Sequence, residues 1–233
     1  MANYCTFFWE TIANLIIIIF FQAIIKTMPR SKSSKQWLQE HFADSYVKQA
    51  QLDGYRSRAV YKLKEIDEKE HLIQPNMTIV DLGAAPGGWT QYVSQKLQGK
   101  GHIIALDILP MAPLANVDFI LGDFTEKKCL EMLINQLASK RVDLVLSDMA
   151  PNMSGNAIID LPKAMYLAEL AFDFALEMLE ARGTLLMKIF HGVGFDDIVK
   201  MAKLRFSKVV IRKPQASRAR SRETYLLAKG YTL

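Results

Sequence analysis

Thr78-Ile79-Val80-Asp81-Leu82-Gly83-Ala84-Ala85-Pro86-Gly87-Gly88-Trp89-Thr90-Gln91-Tyr92-Val93 is the stretch on which the reading of this 233-residue chain turns. A β-branched apolar run closes on Asp81, a turn of small residues follows, and a helical pattern starts near Trp89. Strand, glycine-rich turn and helix in that order open a doubly wound nucleotide-binding sheet. Gly83, Gly87 and Gly88 have no Cβ, so the backbone can turn sharply and a ligand can approach its N–H groups. The first turn of the helix adds donors that have no partner within the helix.

The spacing narrows the ligand. A dinucleotide site wants G-x-G-x-x-G, whereas here Gly83 is followed by Gly87 and Gly88, with Ala85 where a second glycine would sit. A phosphate-cradling loop wants lysine before Ser or Thr, and Gly88-Trp89-Thr90 has none. An acidic strand end before a Gly/Ala/Pro turn is similar to the first motif of S-adenosylmethionine (SAM) methyltransferases. In that motif the acid polarises the turn and the backbone packs against the amino-acid part of SAM. Glycine-rich turns also serve as plain structural turns, so the rest of the chain must decide.

Half of the residues are hydrophobic (50%) and 23% are charged, which suits one α/β domain with a full core. A net charge of +5 and a sequence pI of about 9.1 admit an anionic partner without requiring one. Cys5 and Cys129 are far apart and form no disulfide framework, which fits a reducing compartment. His41, His71, His102 and His191 share no ligand spacing, so no metal site is read. Residues 12–25 are apolar except for Asn14 and Gln22, shorter than the roughly 20 residues of a membrane span. No basic residue precedes Lys26 and no small-residue cleavage site follows, which excludes a signal peptide. The preferred reading makes Met28 the initiator and 1–27 an apolar extension. The alternative is an N-terminal anchor whose Lys26, Arg30, Lys32 and Lys35 hold the chain on the cytoplasmic side.

Residues 28–34 read as a basic, serine-rich arm and 35–233 as one domain. Helical patterns cover 35–50 and 58–70. Strands are then expected at 78–83, 101–108, 118–122, 143–148, 184–190 and 208–212, with helices at 89–97, 127–139, 162–181 and 195–204. Such alternation predicts a mostly parallel seven-stranded sheet with helices on both faces, a Rossmann-like α/β fold. A last strand at 224–229 follows 208–212 without a helix and must run antiparallel.

Ligands of such sheets bind beyond the carboxyl ends of the parallel strands. Asp107, 20 residues past Gly87, ends the second strand where an acid takes ribose hydroxyls; a solvated strand end is the competing reading. Asp123 ends the third strand and either faces an adenine amino group or caps a helix. Asp148 ends the fourth, Lys188 interrupts the apolar run Leu185–Phe190 of the fifth, and the reversed last strand returns Glu223 to the same rim. A lysine in a buried strand needs a partner or a task. Attack of a ribose hydroxyl on a sulfonium methyl needs a base. Lysine serves as one where burial and a second cation, here Lys62, disfavour its charged form. Asp148 and Glu223 would orient the amines. Methylation of base amines favours an Asn/Asp-Pro-Pro-aromatic turn, which Asp148-Met149-Ala150-Pro151 is not. Pyrimidine C5 methylation needs a cysteine at the rim, and Cys129 falls in a helix.

Gly54-Tyr55-Arg56-Ser57-Arg58-Ala59-Val60-Tyr61-Lys62-Leu63, Asp81–Trp89, Asp148–Asn152, Lys188-Ile189-Phe190 and Ser217–Glu223 closely resemble the RrmJ/FtsJ family of ribosomal RNA 2′-O-methyltransferases. The resemblance runs from about residue 31 to the C-terminus and leaves 1–27 without a counterpart. It implies a catalytic tetrad of Lys62, Asp148, Lys188 and Glu223, with Lys188 as proton acceptor. It also implies SAM contacts at Gly87, Trp89, Asp107, Asp123 and Asp148, beside the turn residues Asp81, Gly83 and Gly88. The implied substrate is a uridine in the aminoacyl-site loop of 23S rRNA, within the large ribosomal subunit, and the implied protein a cytoplasmic monomer without a stable membrane partner. Arg56, Arg58 and Lys64 near Lys62, with Arg212, Lys213, Arg218, Arg220 and Arg222 before Glu223, are expected to form a cationic groove for RNA phosphates. The alternatives are a tRNA or mitochondrial rRNA methyltransferase and, from another class, a ribosome-assembly factor that acts by binding.

Overall fold

The computed structural model describes residues 44–218 and 220–232. The apolar extension, the basic arm and most of the helix expected over 35–50 lie outside the described residues. Two helices come first, α1 (Ser45–Leu52) and α2 (Val60–Glu70). The glycine turn then joins β1 (Thr78–Leu82) to α3 (Gly88–Leu97). β2 (His102–Asp107), β3 (Val117–Leu121), α4 (Lys127–Leu137) and β4 (Val142–Ser147) follow. The chain closes with α5 (Ala157–Met178), β5 (Leu179–Phe190), α6 (Phe195–Arg205), β6 (Phe206–Arg212) and β7 (Glu223–Tyr231).

The seven strands form one sheet in the order β3-β2-β1-β4-β5-β7-β6. β3 through β5 pair in parallel, and β7 inserts antiparallel between β5 and β6. The central strands are apolar on both sides because both faces are covered. On one face Val80, Ile104, Val145 and Leu185 meet Leu133 of α4, Phe172 of α5 and Ile198 of α6. On the other, Ile79, Leu144, Leu186 and Leu227 meet Leu63 of α2 and Val93 of α3. Each such fully buried side chain contributes roughly 1.5–3 kcal/mol.

Two expected boundaries move. The helix expected at 162–181 starts at Ala157, because the Asn156 side chain accepts from the Ile158 N–H (3.0 Å) and caps a turn upstream of Pro162. It ends at Met178, because Leu179 turns extended and is buried opposite Val142 of β4. β5 therefore begins at Leu179 rather than at Thr184. Arg182 takes a positive φ of 70°, and the ladder resumes with Leu144 opposite Thr184 after an irregular step.

Candidate active site

The carboxyl ends of β1, β2, β4 and β5 and the start of β7 share one rim. Phe190, the last residue of β5, lies opposite Glu223, the first of β7. Asp148 follows β4 and is tied to the end of β1 by its own N–H, donated to the Leu82 carbonyl (3.1 Å). Two lysine–carboxylate pairs meet there. Lys188 Nζ donates to Asp148 Oδ1 at 3.0 Å and to the Asp148 carbonyl at 2.5 Å. Lys62 Nζ, brought by α2 from across the turn, lies 2.7 Å from Glu223 Oε1. All four side chains are largely withdrawn from solvent, Lys188 the most, at 7% exposed.

Tyr225 joins the two pairs. Its hydroxyl lies 2.8 Å from Asp148 Oδ1 and 3.4 Å from Glu223 Oε1, and Lys62 Nζ stands 5.7 Å from its ring centroid. Burial, reinforced by the two carboxylates, raises the phenol far above its ordinary value, so it is a permanent donor here. Burial acts to raise the Asp148 carboxyl, but Lys188, Lys62 and the Tyr225 hydroxyl outweigh it and hold the acid below its ordinary value. Ser217 donates a further hydrogen bond to Glu223 (2.8 Å). The sequence reading missed Tyr225, although strand alternation carries the signal: a residue two after Glu223 points to the same face.

Beside the tetrad opens a cleft of about 340 Å³ lined by Gly83, Asp107, Asp123 and Asp148 among others. Asp107 accepts from the N–H groups of Ala85 and Leu109, both at 2.8 Å, which holds the turn against β2. Asp123 is exposed and accepts from the Thr125 N–H and hydroxyl, an Asx-type turn rather than a cap on α4. Asp81, Gly87, Gly88 and Trp89 are not among the lining residues. Gly83 and Gly87 have φ of 78° and 104°, conformations that favour glycine. The missing side chains of Gly83 and Gly88 make room for protein: a Cβ at Gly83 would sit 2.8 Å from Met149 N, and one at Gly88 2.3 Å from Ser57 Oγ. Trp89 is buried, gives its indole N–H to the Ala59 carbonyl (2.8 Å), and packs 5.7 Å from the Tyr225 ring.

The model of FtsJ-like methyltransferases matches residues 55–231. The chain belongs to that family. It is 68% identical over 206 residues to the ribosomal RNA large subunit methyltransferase E of Legionella pneumophila strain Corby, covering 88% of this chain and all of that protein. The protein of the same name from Dichelobacter nodosus is 58% identical over 205 residues, covering 88% of this chain and 98% of its own. Among solved structures, a Plasmodium falciparum protein assigned as a ribosomal RNA methyltransferase superposes with a TM-score of 0.69 at 32% identity, covering 76% of this chain and 98% of that one.

An FtsJ-like methyltransferase needs a methyl donor, and two buried polar atoms near this rim have no protein hydrogen-bond partner. The Ser57 hydroxyl is buried beside the N-terminus of α3 without a protein hydrogen-bond partner. So is Asp81 Oδ1, on a fully buried carboxyl whose other oxygen accepts from Thr90 Oγ1 at 2.6 Å. Burial, with Asp148 and Asp107 nearby and against the Thr90 hydrogen bond, pushes Asp81 up to about 7.

The basic residues divide. Arg56 spends its guanidinium on the carbonyls of Ala112 (2.6 Å) and Pro113 (2.8 Å). Arg58 donates to the Ala216 carbonyl, and Arg212 pairs with Glu70. These three are tied into the fold, Arg56 and Arg58 through backbone carbonyls and Arg212 through a carboxylate. Lys213 is exposed and donates to the carbonyls of Ser221 and Glu223 (3.2 Å to the latter). Arg220 and Arg222 are exposed beside it, and Arg218 and Lys64 are half-buried.

Proposed function

We propose that this chain transfers a methyl group from S-adenosylmethionine to the ribose 2′-hydroxyl of a uridine in 23S rRNA, at the aminoacyl-site loop of the large ribosomal subunit. The observation that carries this reading is the pair of lysine–carboxylate contacts, Lys188 with Asp148 and Lys62 with Glu223, joined through Tyr225 at the strand-end rim. The names of the bacterial relatives support rRNA as the substrate class.

S-adenosylmethionine, when bound, supplies an electrophilic methyl group on a sulfonium. Asp107 and Asp123 in the cleft would take its ribose and adenine polar groups, and Ser57 with the N-terminus of α3 its carboxylate. Asp148 fixes the Lys188 amine through two acceptors, and Tyr225 fixes Asp148. Lys188 Nζ would take the proton of the ribose hydroxyl, whose oxygen would accept the methyl group that bound S-adenosylmethionine supplies. Lys62, held by Glu223, is the second cation acting on Asp148.

The test is transfer of labelled methyl to large subunits that lack the modification, with free rRNA and tRNA alongside. Label on a 2′-O-methyluridine in subunits is expected, and Lys188→Ala should abolish it while cofactor binding persists. Label on tRNA alone, or none on any RNA, would overturn the reading.

A further inference from the structure

The tetrad sits between two unlike banks. On one side lie the exposed cations of the β6–β7 connection, Lys213, Arg220 and Arg222. On the other, the segment after Asp148 and the loop after β5 expose large apolar groups: Met153 is 54% exposed, Ile158 84% and Val193 95%. Helix α5 and the loop form one surface. A Cβ at Gly192 would lie 3.5 Å from Leu161 Cδ1, and one at Gly194 3.0 Å from Met165 Cγ. From the loop, the His191 ring stacks on Phe195, the first residue of α6, at 4.3 Å with a 28° interplanar angle. The His191 N–H donates to the Arg222 carbonyl (3.2 Å), which ties this bank to the cationic one across the rim.

We infer that this apolar bank, centred on His191, Val193 and Ile158, receives unstacked bases of the substrate RNA while the opposite bank holds its phosphates. The inference rests on the proposed RNA-methylating function and adds the residues that would hold the bases. Charge selects the occupant. Residues 149–159 and 189–195 contain no acidic side chain, and the buried Asp160 is committed to the N–H groups of Ser154 and Gly155, both at 2.9 Å. Exposed Asp196 and Asp197 mark where the bank ends. Such a surface accepts a polyanion, and a base extruded to bring its ribose to Lys188 loses stacking that a pre-formed ring pair replaces. The bank is also continuous with the cleft, which Met149, Pro151 and Asn152 line.

The test compares His191→Ala, Val193→Ser and Ile158→Ser with Lys213→Ala and Arg222→Ala. The probes are an rRNA fragment carrying the target loop and intact large subunits, at several salt concentrations. His191→Ala should weaken fragment binding roughly ten-fold, as loss of one stacked base does. The slope of log affinity against log salt, the cofactor affinity and the melting temperature should stay as in the wild type. The lysine and arginine variants should lower that slope by about 0.7 for each lost phosphate contact. Unchanged fragment affinity in all three apolar-bank variants overturns the inference. A loss seen on subunits but not on the fragment also overturns it, in favour of a ribosomal protein as occupant. In either case continued methyl transfer by the wild type leaves the proposed function standing. A wild type that binds neither RNA and transfers no methyl overturns both.

Discussion

Asp81 carries a larger electrostatic burden than its place in a turn motif implies. It is fully buried at the end of β1, one oxygen bonded to Thr90 and the other without a partner, with Asp107 and Asp148 nearby. Its carboxyl therefore stays protonated up to about 7, whereas in the unfolded chain it ionises near 3.8. Between those values the native state holds a proton that the unfolded state has lost, so stability falls as pH rises from about 4 to about 7. A shift of this size amounts to something on the order of 4 kcal/mol at the top of the window. Asp81→Asn removes the charge and keeps the shape. Denaturant unfolding from pH 4 to 8 should show the variant losing markedly less stability across that range than the wild type. Parallel curves would mean that Asp81 is ionised throughout. Tyr225 makes the complementary case. Tyr225→Phe keeps the ring against Trp89 and deletes only the hydroxyl that Asp148 accepts. Methyl transfer should slow about ten-fold, the scale of one hydrogen bond to a charged group, with cofactor affinity unchanged. Equal losses in both would place Tyr225 in cofactor binding instead.

At the scale of elements, the alternation of apolar runs and amphipathic segments was legible because each strand of the doubly wound half is short, apolar and bounded by a turn. What the sequence hid were ends set by distant partners. Nothing local distinguishes Leu179 from the last turn of α5; its burial opposite Val142 of another strand does. The start of α5 was obscured by Pro162, which usually sits in a first turn and here lies further in. The cap at Asn156 sets that start. Asn156→Ala should cost about 1 kcal/mol, measured as a lowered denaturation midpoint at unchanged slope. The meeting of Lys62, Asp148, Lys188 and Glu223 at one rim was legible because each lies at or beside a strand end, or on the helix that faces those ends. Ser57 was not singled out, because nothing in Arg56-Ser57-Arg58 announces a buried hydroxyl; only the fold lays it against Gly88.

At the scale of the whole molecule, one long-range clamp fastens the helix that carries Lys62 to the last two strands. Helix α2 carries Lys62 near its start and Glu70 at its end, and both reach the β6–β7 hairpin, Glu70 at Lys208, 138 residues later, and Lys62 at Glu223, still further along the chain. Glu70 is nearly buried and takes Lys208 at 3.0 Å and Arg212 on its carboxylate, while Lys229 donates to its carbonyl at 2.8 Å. The hydrogen bond from Arg212 leads the contributions of both cations, which overcome burial and hold this carboxyl below its ordinary value. The sign follows: the stabilisation is complete above the unfolded Glu pKa and is lost as pH falls through the lower native one. Glu70→Gln keeps the volume and removes the charge, leaving Lys208, Arg212 and, at 3.9 Å, Lys229 facing a neutral amide. With Lys208 and Arg212 partly in solvent, the cost is on the order of 2 kcal/mol at pH 7. It should shrink as pH falls through the acid range, because the wild type loses the same charge there. The coupling to function is the sharper test. If the clamp positions α2, Glu70→Gln should reduce methyl transfer at a temperature where the variant is fully folded, although Glu70 lies at the far end of the helix from Lys62. Full activity in a variant that is less stable would show that Glu223, together with the packing of Leu63 and Ile66 against the sheet, is enough to hold Lys62 in place.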